Sequence, residues 1–153
     1  MSGAFPSTVV QFKTPLTVSA IVPARDEQGS IARVVQDLIS LRWPDGRRVV
    51  DEVIVVDNGS TDDTPKLARA AGALVVHVPL AGYGRACWHG AQTASGQILL
   101  FVDGDGAAVA EEARLLLLPL FEEDDLVVGH RAFPDPLAMS WTQRFGNALA
   151  CAL

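Results

Sequence analysis

The sequence predicts an α/β fold: a mostly parallel sheet with helices on both faces. Three observations carry this expectation. Short apolar, β-branched runs alternate with segments of helical periodicity along the chain. The inner runs are continuously apolar rather than alternating, as strands buried on both faces are. Acidic residues follow directly after three of those runs, at the carboxyl ends where open α/β sheets bind ligands.

The elements follow in order. Leu16–Val22 is rich in β-branched residues and stops at Pro23, which predicts a buried strand. Ile31, Val34, Val35, Leu38 and Ile39 recur at helical spacing, with Ser30 as the candidate N-cap. Trp43-Pro44-Asp45-Gly46 has turn chemistry, and Val53–Val56 is the next strand. Thr64-Pro65 predicts an N-cap followed by proline at the first helical position, with the helix running to Ala71 before Gly72. Leu74–Val78 is a third strand, Gly84–Thr93 a helix and Ile98–Val102 a fourth strand. Glu111–Leu118 is a short helix, broken by Pro119, Leu126–Val128 a candidate fifth strand, and Trp141–Leu153 a final helix without a terminator. The domain is expected over residues 15–153, with residues 1–14 as a flexible tail.

Composition narrows the function. Hydrophobic residues make up 49% of the 153, so a disordered chain is not expected. A net charge of −6 argues against a nucleic-acid module, which needs a basic face. It leaves phosphate binding open, because a divalent metal can supply local positive charge. Cys87 and Cys151 have no zinc or disulfide-scaffold spacing and suit a reducing compartment. Met1–Pro15 has no apolar signal-peptide core, and no apolar run is long enough to span a bilayer. The expected location is cytoplasmic, with peripheral attachment at the inner face of the plasma membrane as the alternative.

The carboxyl-end rule selects Pro23–Glu27, Asp57–Asp63 and Asp103–Gly106. Each holds acids: Asp26-Glu27, Asp57 with Asp62 and Asp63, and Asp103-Gly104-Asp105. Carboxylates gathered at one sheet edge repel one another unless they bind ribose hydroxyls, a base or a cation. The plainer alternative is that they cap and turn the helices that follow. Asp103-Gly104-Asp105-Gly106 is the sharpest signal. An Asp-x-Asp pair at a strand end can aim hard oxygen ligands at Mg²⁺ or Mn²⁺ bridging a diphosphate. The glycines let the backbone approach that diphosphate closely.

Several segments together resemble family 2 glycosyltransferases. Val22-Pro23-Ala24-Arg25-Asp26-Glu27 is similar to their opening Pro-Ala-x-Asn-Glu segment, and Ile54–Asp62 to their Val-Asp-Asp-Gly-Ser-x-Asp segment. Gly82-Tyr83-Gly84-Arg85-Ala86 resembles their Gly-x-Gly-x-Ala helix start, and Phe101–Gly106 their Asp-x-Asp strand end. Val128-Gly129-His130-Arg131 and Gln143-Arg144-Phe145-Gly146-Asn147 resemble two later segments. The set is most similar to the bacterial branch near dolichyl-phosphate mannose synthases. The resemblance implies a GT-A, Rossmann-like fold of the nucleotide-diphospho-sugar transferase type. It implies a UDP- or GDP-linked sugar donor and an acceptor such as a polyprenyl phosphate.

Residue by residue, the resemblance implies that Pro23, Ala24, Glu27, Asp57, Gly59, Arg85 and Gly104 serve the nucleotide. Asp103 and Asp105 serve the metal and the chemistry, and Arg131, with Arg144, faces an acceptor phosphate through its bidentate fork. The departures are Asp26 for the usual Asn, Asn58 for a common Asp, Ala107 and Ala108 for polar residues, and His130 for Ser. Relatives continue beyond Leu153, so the chain is expected to be a fragment, a truncated product or a partner-completed protein. An unfinished helix exposing Phe145, Leu149 and Leu153 predicts a homodimer or poor solubility.

The competing readings are a non-catalytic nucleotide-binding remnant and a nucleotidyltransferase. The latter predicts a lysine-bearing glycine-rich loop after the first strand, and Pro23–Ser30 has no lysine. A dinucleotide fingerprint is set aside because Cys87 occupies its third glycine position. His77, His89 and His130 lack zinc spacing and read as structural, and Tyr83 or Trp88 could stack on a sugar.

Overall fold

The computed structural model describes residues 16–107, 112–122 and 126–129. Within them the order is β1 (Val18–Ala24), α1 (Ile31–Ser40), β2 (Glu52–Asp57), α2 (Thr64–Ala70), β3 (Leu74–His77), α3 (Tyr83–Thr93), β4 (Ile98–Phe101) and α4 (Ala113–Glu122). The sheet is four-stranded in the order β3-β2-β1-β4, and every pairing is parallel. The expected α/β class is therefore found.

Side-chain alternation builds two apolar layers. Val18, Ala20, Val22 and Ala24 of β1, with Val53 and Val55 of β2, pack on one face against Ile31, Val34, Val35 and Leu38 of α1, Ala68 of α2 and Leu117 of α4. Each Val, Ile or Leu among them contributes roughly 1.5–3 kcal/mol when fully buried. Ile21, Ile54 and Val56 point the other way and meet Val78 and Ala86 of α3's side. Gly90 lets α3 lie close, since a Cβ there would collide with the Ile21 and Val56 side chains. Helices thus cover both faces.

Strand order locates the crevice. From β1 the chain steps outward through β2 to β3, then returns to the other side of β1 as β4. That reversal puts the topological switch point between the carboxyl ends of β1 and β4.

Several boundaries differ from expectation for local reasons. β1 continues through Pro23 to Ala24. Odd-numbered residues of β1 bond toward β4, as the Val102 N–H to Ile21 carbonyl bond at 3.0 Å shows. The ladder to β4 ends at Ile21–Phe101, so proline's missing N–H falls where no ladder bond is needed. Asp63, not Thr64, is the N-cap residue of α2, and Thr64 is its first residue. α4 runs through Pro119 to Glu122 rather than stopping at Leu118. The carbonyl that loses its helical partner belongs to Leu115, which is 54% exposed. Leu126–Val128 forms no strand, and Leu126 and Val128 are 80% and 78% exposed. The expected tail at residues 1–14 and the helix Trp141–Leu153 lie outside the described residues. Among the described residues no helix is long and apolar enough to cross a membrane.

Candidate functional site

All three acidic segments meet at the carboxyl edge of the sheet, because β1, β2 and β4 are parallel neighbours. The chemistry of the segments differs. Most acids of the β1 and β2 segments spend their oxygens on neighbouring loops. Asp26 has φ 56°, the left-handed region that Asp tolerates better than most residues. Its Oδ1 accepts from the Thr61 N–H at 2.7 Å, while its own N–H donates to Ser60 Oγ at 3.1 Å. Asp62 Oδ2 accepts from the Gln28 N–H at 3.1 Å, and its Oδ1 from the Thr64 N–H at 2.9 Å. The β1 and β2 loops are thereby laced together: Asp62 turns the start of α2 through the Thr64 N–H, whereas Asp26 caps no helix and bonds across to the neighbouring loop.

Asp57 is 2% exposed. Its Oδ1 accepts from the Ser60 N–H at 3.0 Å, and its Oδ2 lies 2.7 Å from His77 Nδ1 at the end of β3. Burial pushes its carboxyl upward, but the bonds from Ser60 and His77 together hold it below the usual aspartate range. A charged Asp57 therefore sits under the site, while the His77 side chain is 58% exposed above it. Gly59, at φ +76°, makes the turn that brings Ser60 back to Asp57.

Glu27, half-buried, lies in the loop between β1 and α1. Its N–H donates to Thr64 Oγ1 at 2.8 Å, and its Oε2 lies 3.2 Å from Ser30 Oγ. Ser30 stands at the N-cap position of α1 as expected, yet makes no side-chain cap bond. Its hydroxyl instead donates to the Gly104 carbonyl at 2.7 Å. The Arg33 guanidinium reaches the Gly106 carbonyl at 3.3 Å. Helix α1 thus holds the loop after β4 from below.

That loop carries Asp103 and Asp105. Gly104 is buried against the end of β1: a Cβ there would stand 3.3 Å from both the Pro23 carbonyl oxygen and Ala24 Cβ. Asp105 is exposed, and its Oδ1 accepts from the Ala107 N–H at 2.8 Å. Asp103 is half-buried, and its Oδ1 accepts from the Tyr83 hydroxyl at 3.2 Å. Burial, then the charge of Asp103 and the neighbouring Cys87, raise the Tyr83 phenol to about 12, so it remains a donor at neutral pH. Arg85, in the first turn of α3, is exposed.

The structure therefore brings Pro23, Ala24, Glu27, Asp57, Gly59, Gly104, Asp103 and Asp105 to one edge, with Arg85 on the helix that begins beside it. Arg131, Arg144 and His130 lie outside the described residues. The sequence alone reads His77 as structural, although the carboxyl-end rule applied to β3 puts it at the same edge.

Against known proteins, the model of glycosyl transferase family 2 matches residues 19–145. The chain belongs to glycosyl transferase family 2. Relatives include the glucosyl-3-phosphoglycerate synthase of Mycolicibacterium paratuberculosis, 43% identical over 101 residues, covering 61% of this chain and 30% of that protein. Glycosyltransferase AglJ of Haloferax volcanii is 36% identical over 139 residues, covering 89% of this chain and 43% of AglJ. Among solved structures, the glucosyl-3-phosphoglycerate synthase of Mycobacterium tuberculosis, in complex with Mn²⁺, UDP and phosphoglyceric acid, superposes with a TM-score of 0.59 at 36% identity. That match covers 69% of this chain and 39% of the synthase. The chain spans less than half the length of each of these three relatives. The GT-A fold expected from the sequence is the fold of these family 2 neighbours.

Proposed function

We propose that this chain binds a UDP-linked sugar across the carboxyl edge of the sheet, as the donor part of a glycosyltransferase. The observation that carries the reading is the position of Asp103-Gly104-Asp105 at the β1–β4 switch point, with Gly104 against the Pro23 carbonyl. In this reading the diphosphate lies over Gly104 beside Asp103, Asp105 and Arg85. The nucleoside extends over Pro23 and Ala24 toward Glu27, Gly59 and the Asp57–His77 pair. The choice of UDP over GDP rests on the synthase complex, which holds UDP.

The residues fit a divalent cation. Asp103 and Asp105 offer hard oxygen donors two residues apart. Among the described residues no group of three or more His, Cys, Asp or Glu side chains gathers for a metal. Two carboxylates completed by phosphate oxygens and water are the arrangement Mg²⁺ favours. A cation bound there would neutralise charge on the departing diphosphate. Transfer breaks the bond between the anomeric carbon and the diphosphate oxygen, whose electron pair leaves with the diphosphate, and an acceptor oxygen bonds to that carbon.

The acceptor in this reading carries a phosphate, with Arg131 and Arg144 as its partners. The polyprenyl phosphate expected from the sequence draws no support from the named relatives. The synthase complex holds phosphoglyceric acid, which favours a small phosphorylated acceptor. The cytoplasmic setting expected from the sequence belongs to the same reading.

Calorimetric titration with UDP and GDP, with and without Mn²⁺, tests the donor site. Metal-dependent binding of UDP that Asp105→Asn loses is the expected result. A folded chain that binds neither nucleotide would sink the reading.

A further inference from the structure

Two observations lie outside the donor site's expected residues and converge on it. The first is Asn58, 7% exposed at the end of β2. Its amide Nδ2 donates to the carbonyls of Val78 at 3.2 Å and Leu80 at 3.0 Å, and its Oδ1 accepts from the Gly82 N–H at 2.7 Å. One side chain thus spans the whole connection between β3 and α3. Only an amide can do this, since it needs two N–H donors and an acceptor on one group. An aspartate at this position would face two carbonyl oxygens with no proton to give. The second observation is the residue that follows Gly82. Tyr83 opens α3, and its hydroxyl donates to Asp103 Oδ1.

We propose that Tyr83 is a positioning residue for Asp103, and that Asn58 sets Tyr83 in place by strapping the loop from which α3 starts. The proposal rests on the reading of Asp103 as a metal ligand. A carboxylate that accepts a directed hydrogen bond at one oxygen loses rotational freedom before the cation arrives. Such outer hydrogen bonds commonly change metal affinity by about 10–100-fold. The proposal also gives a physical sense to Asn58, which departs from the Asp common in similar sequences. The chain holds its metal loop from two sides: α1 grips the Gly104 and Gly106 carbonyls, and α3 grips the Asp103 carboxylate.

The experiment measures Mn²⁺ affinity for the 153-residue chain with saturating UDP, and UDP affinity without metal. The variants are Tyr83→Phe, Asn58→Asp, the double variant and Asp103→Asn, with folding checked by circular dichroism. Tyr83→Phe is expected to weaken Mn²⁺ binding about tenfold while metal-free UDP affinity changes less than about twofold. Asn58→Asp should weaken Mn²⁺ binding similarly, and the double variant should add less than about twofold, because both act through one contact. If Tyr83→Phe binds Mn²⁺ as the parent does while Asp103→Asn does not, the positioning role is overturned and the donor site stands. If Asp103→Asn also keeps its Mn²⁺ affinity, the donor-site reading fails, and the inference with it. Tyr83→Phe removes one hydroxyl from a largely exposed side chain, so its result does not depend on whether Asn58→Asp folds.

Discussion

The two edges of the sheet both gather acidic side chains, and they use them in opposite ways. At the amino edge, Glu52 Oε1 accepts from Ser19 Oγ at 2.5 Å and from the N–H and Oγ of Ser95, each at 2.7 Å. Ser19 Oγ in turn accepts from the Gly96 N–H at 2.7 Å, and Asp51 Oδ2 from the Val18 N–H at 2.8 Å. These acids lock the turn after α3 onto β1 and β2. At the carboxyl edge, Asp26, Asp57 and Asp62 do similar lacing work, but Asp105 stands exposed at the mouth of the switch point. An acid at a strand end is therefore no evidence of a site by itself. What separates the edges is how fully the fold satisfies the carboxylate: Glu52 Oε1 accepts bonds from β1 and from the turn after α3, while the exposed Asp105 accepts from the Ala107 N–H two residues on.

The comparison can be broken most severely at the amino edge. Gly96→Val would drive a side chain into Ser19 and the Thr17 carbonyl. It should destabilise the chain by about 1–3 kcal/mol in urea unfolding, without altering nucleotide affinity in the folded fraction. Glu52→Gln comes next, at about 1–2 kcal/mol at neutral pH, because it removes the charge from a shared acceptor. The bond from Ser19, against opposing desolvation, heads the causes that hold Glu52 below the usual glutamate range. Its stabilisation is thus complete above the ordinary value of about 4.3 and is lost as pH falls through the lower folded value. Glu52→Gln should flatten the acid limb of the stability profile in that window, and an unchanged slope would refute this.

Asp57→Asn lies between the two edges in character. It should cost about 1 kcal/mol through weaker bonds to Ser60 and His77 and also weaken UDP binding severalfold, measured by melting and calorimetry. Asp105→Asn sits at the far end of the stability scale. Unfolding free energy should change by less than about 0.5 kcal/mol, while metal-dependent UDP binding disappears. A large loss of stability in Asp105→Asn would move this residue into the same class as Glu52.

Much of this was legible in the residues. The strand runs, the helical stripe of α1 and the Asp-x-Asp after β4 all follow from patterns of two or three residue types, which local sterics and burial enforce. The candidate site was legible at Asp103, Gly104 and Asp105 because the Asp-Gly-Asp run follows directly on an apolar strand run, at the edge where open α/β sheets bind ligands. It was not legible at Tyr83, Asn58 and His77, whose partners lie 20–24 residues away along the chain. Ser30 and Thr64 show the same limit from the other side. Both have the composition of helix caps, and both hydroxyl groups bond to another loop, Ser30 donating to the Gly104 carbonyl and Thr64 Oγ1 accepting from the Glu27 N–H, because the parallel packing of β1, β2 and β4 brings those partners within reach.

The sequence by itself determined the alternation of strands and helices, the apolar faces and the acids that would stand at strand ends, since these depend on periodicity and nearest neighbours. Only the tertiary structure decided the strand order, and with it the switch point between β1 and β4. It also decided which acids the fold would satisfy and which it would leave exposed at the carboxyl edge. Hydrogen bonds form between groups that packing brings within about 3 Å, and no spacing along the chain encodes that distance.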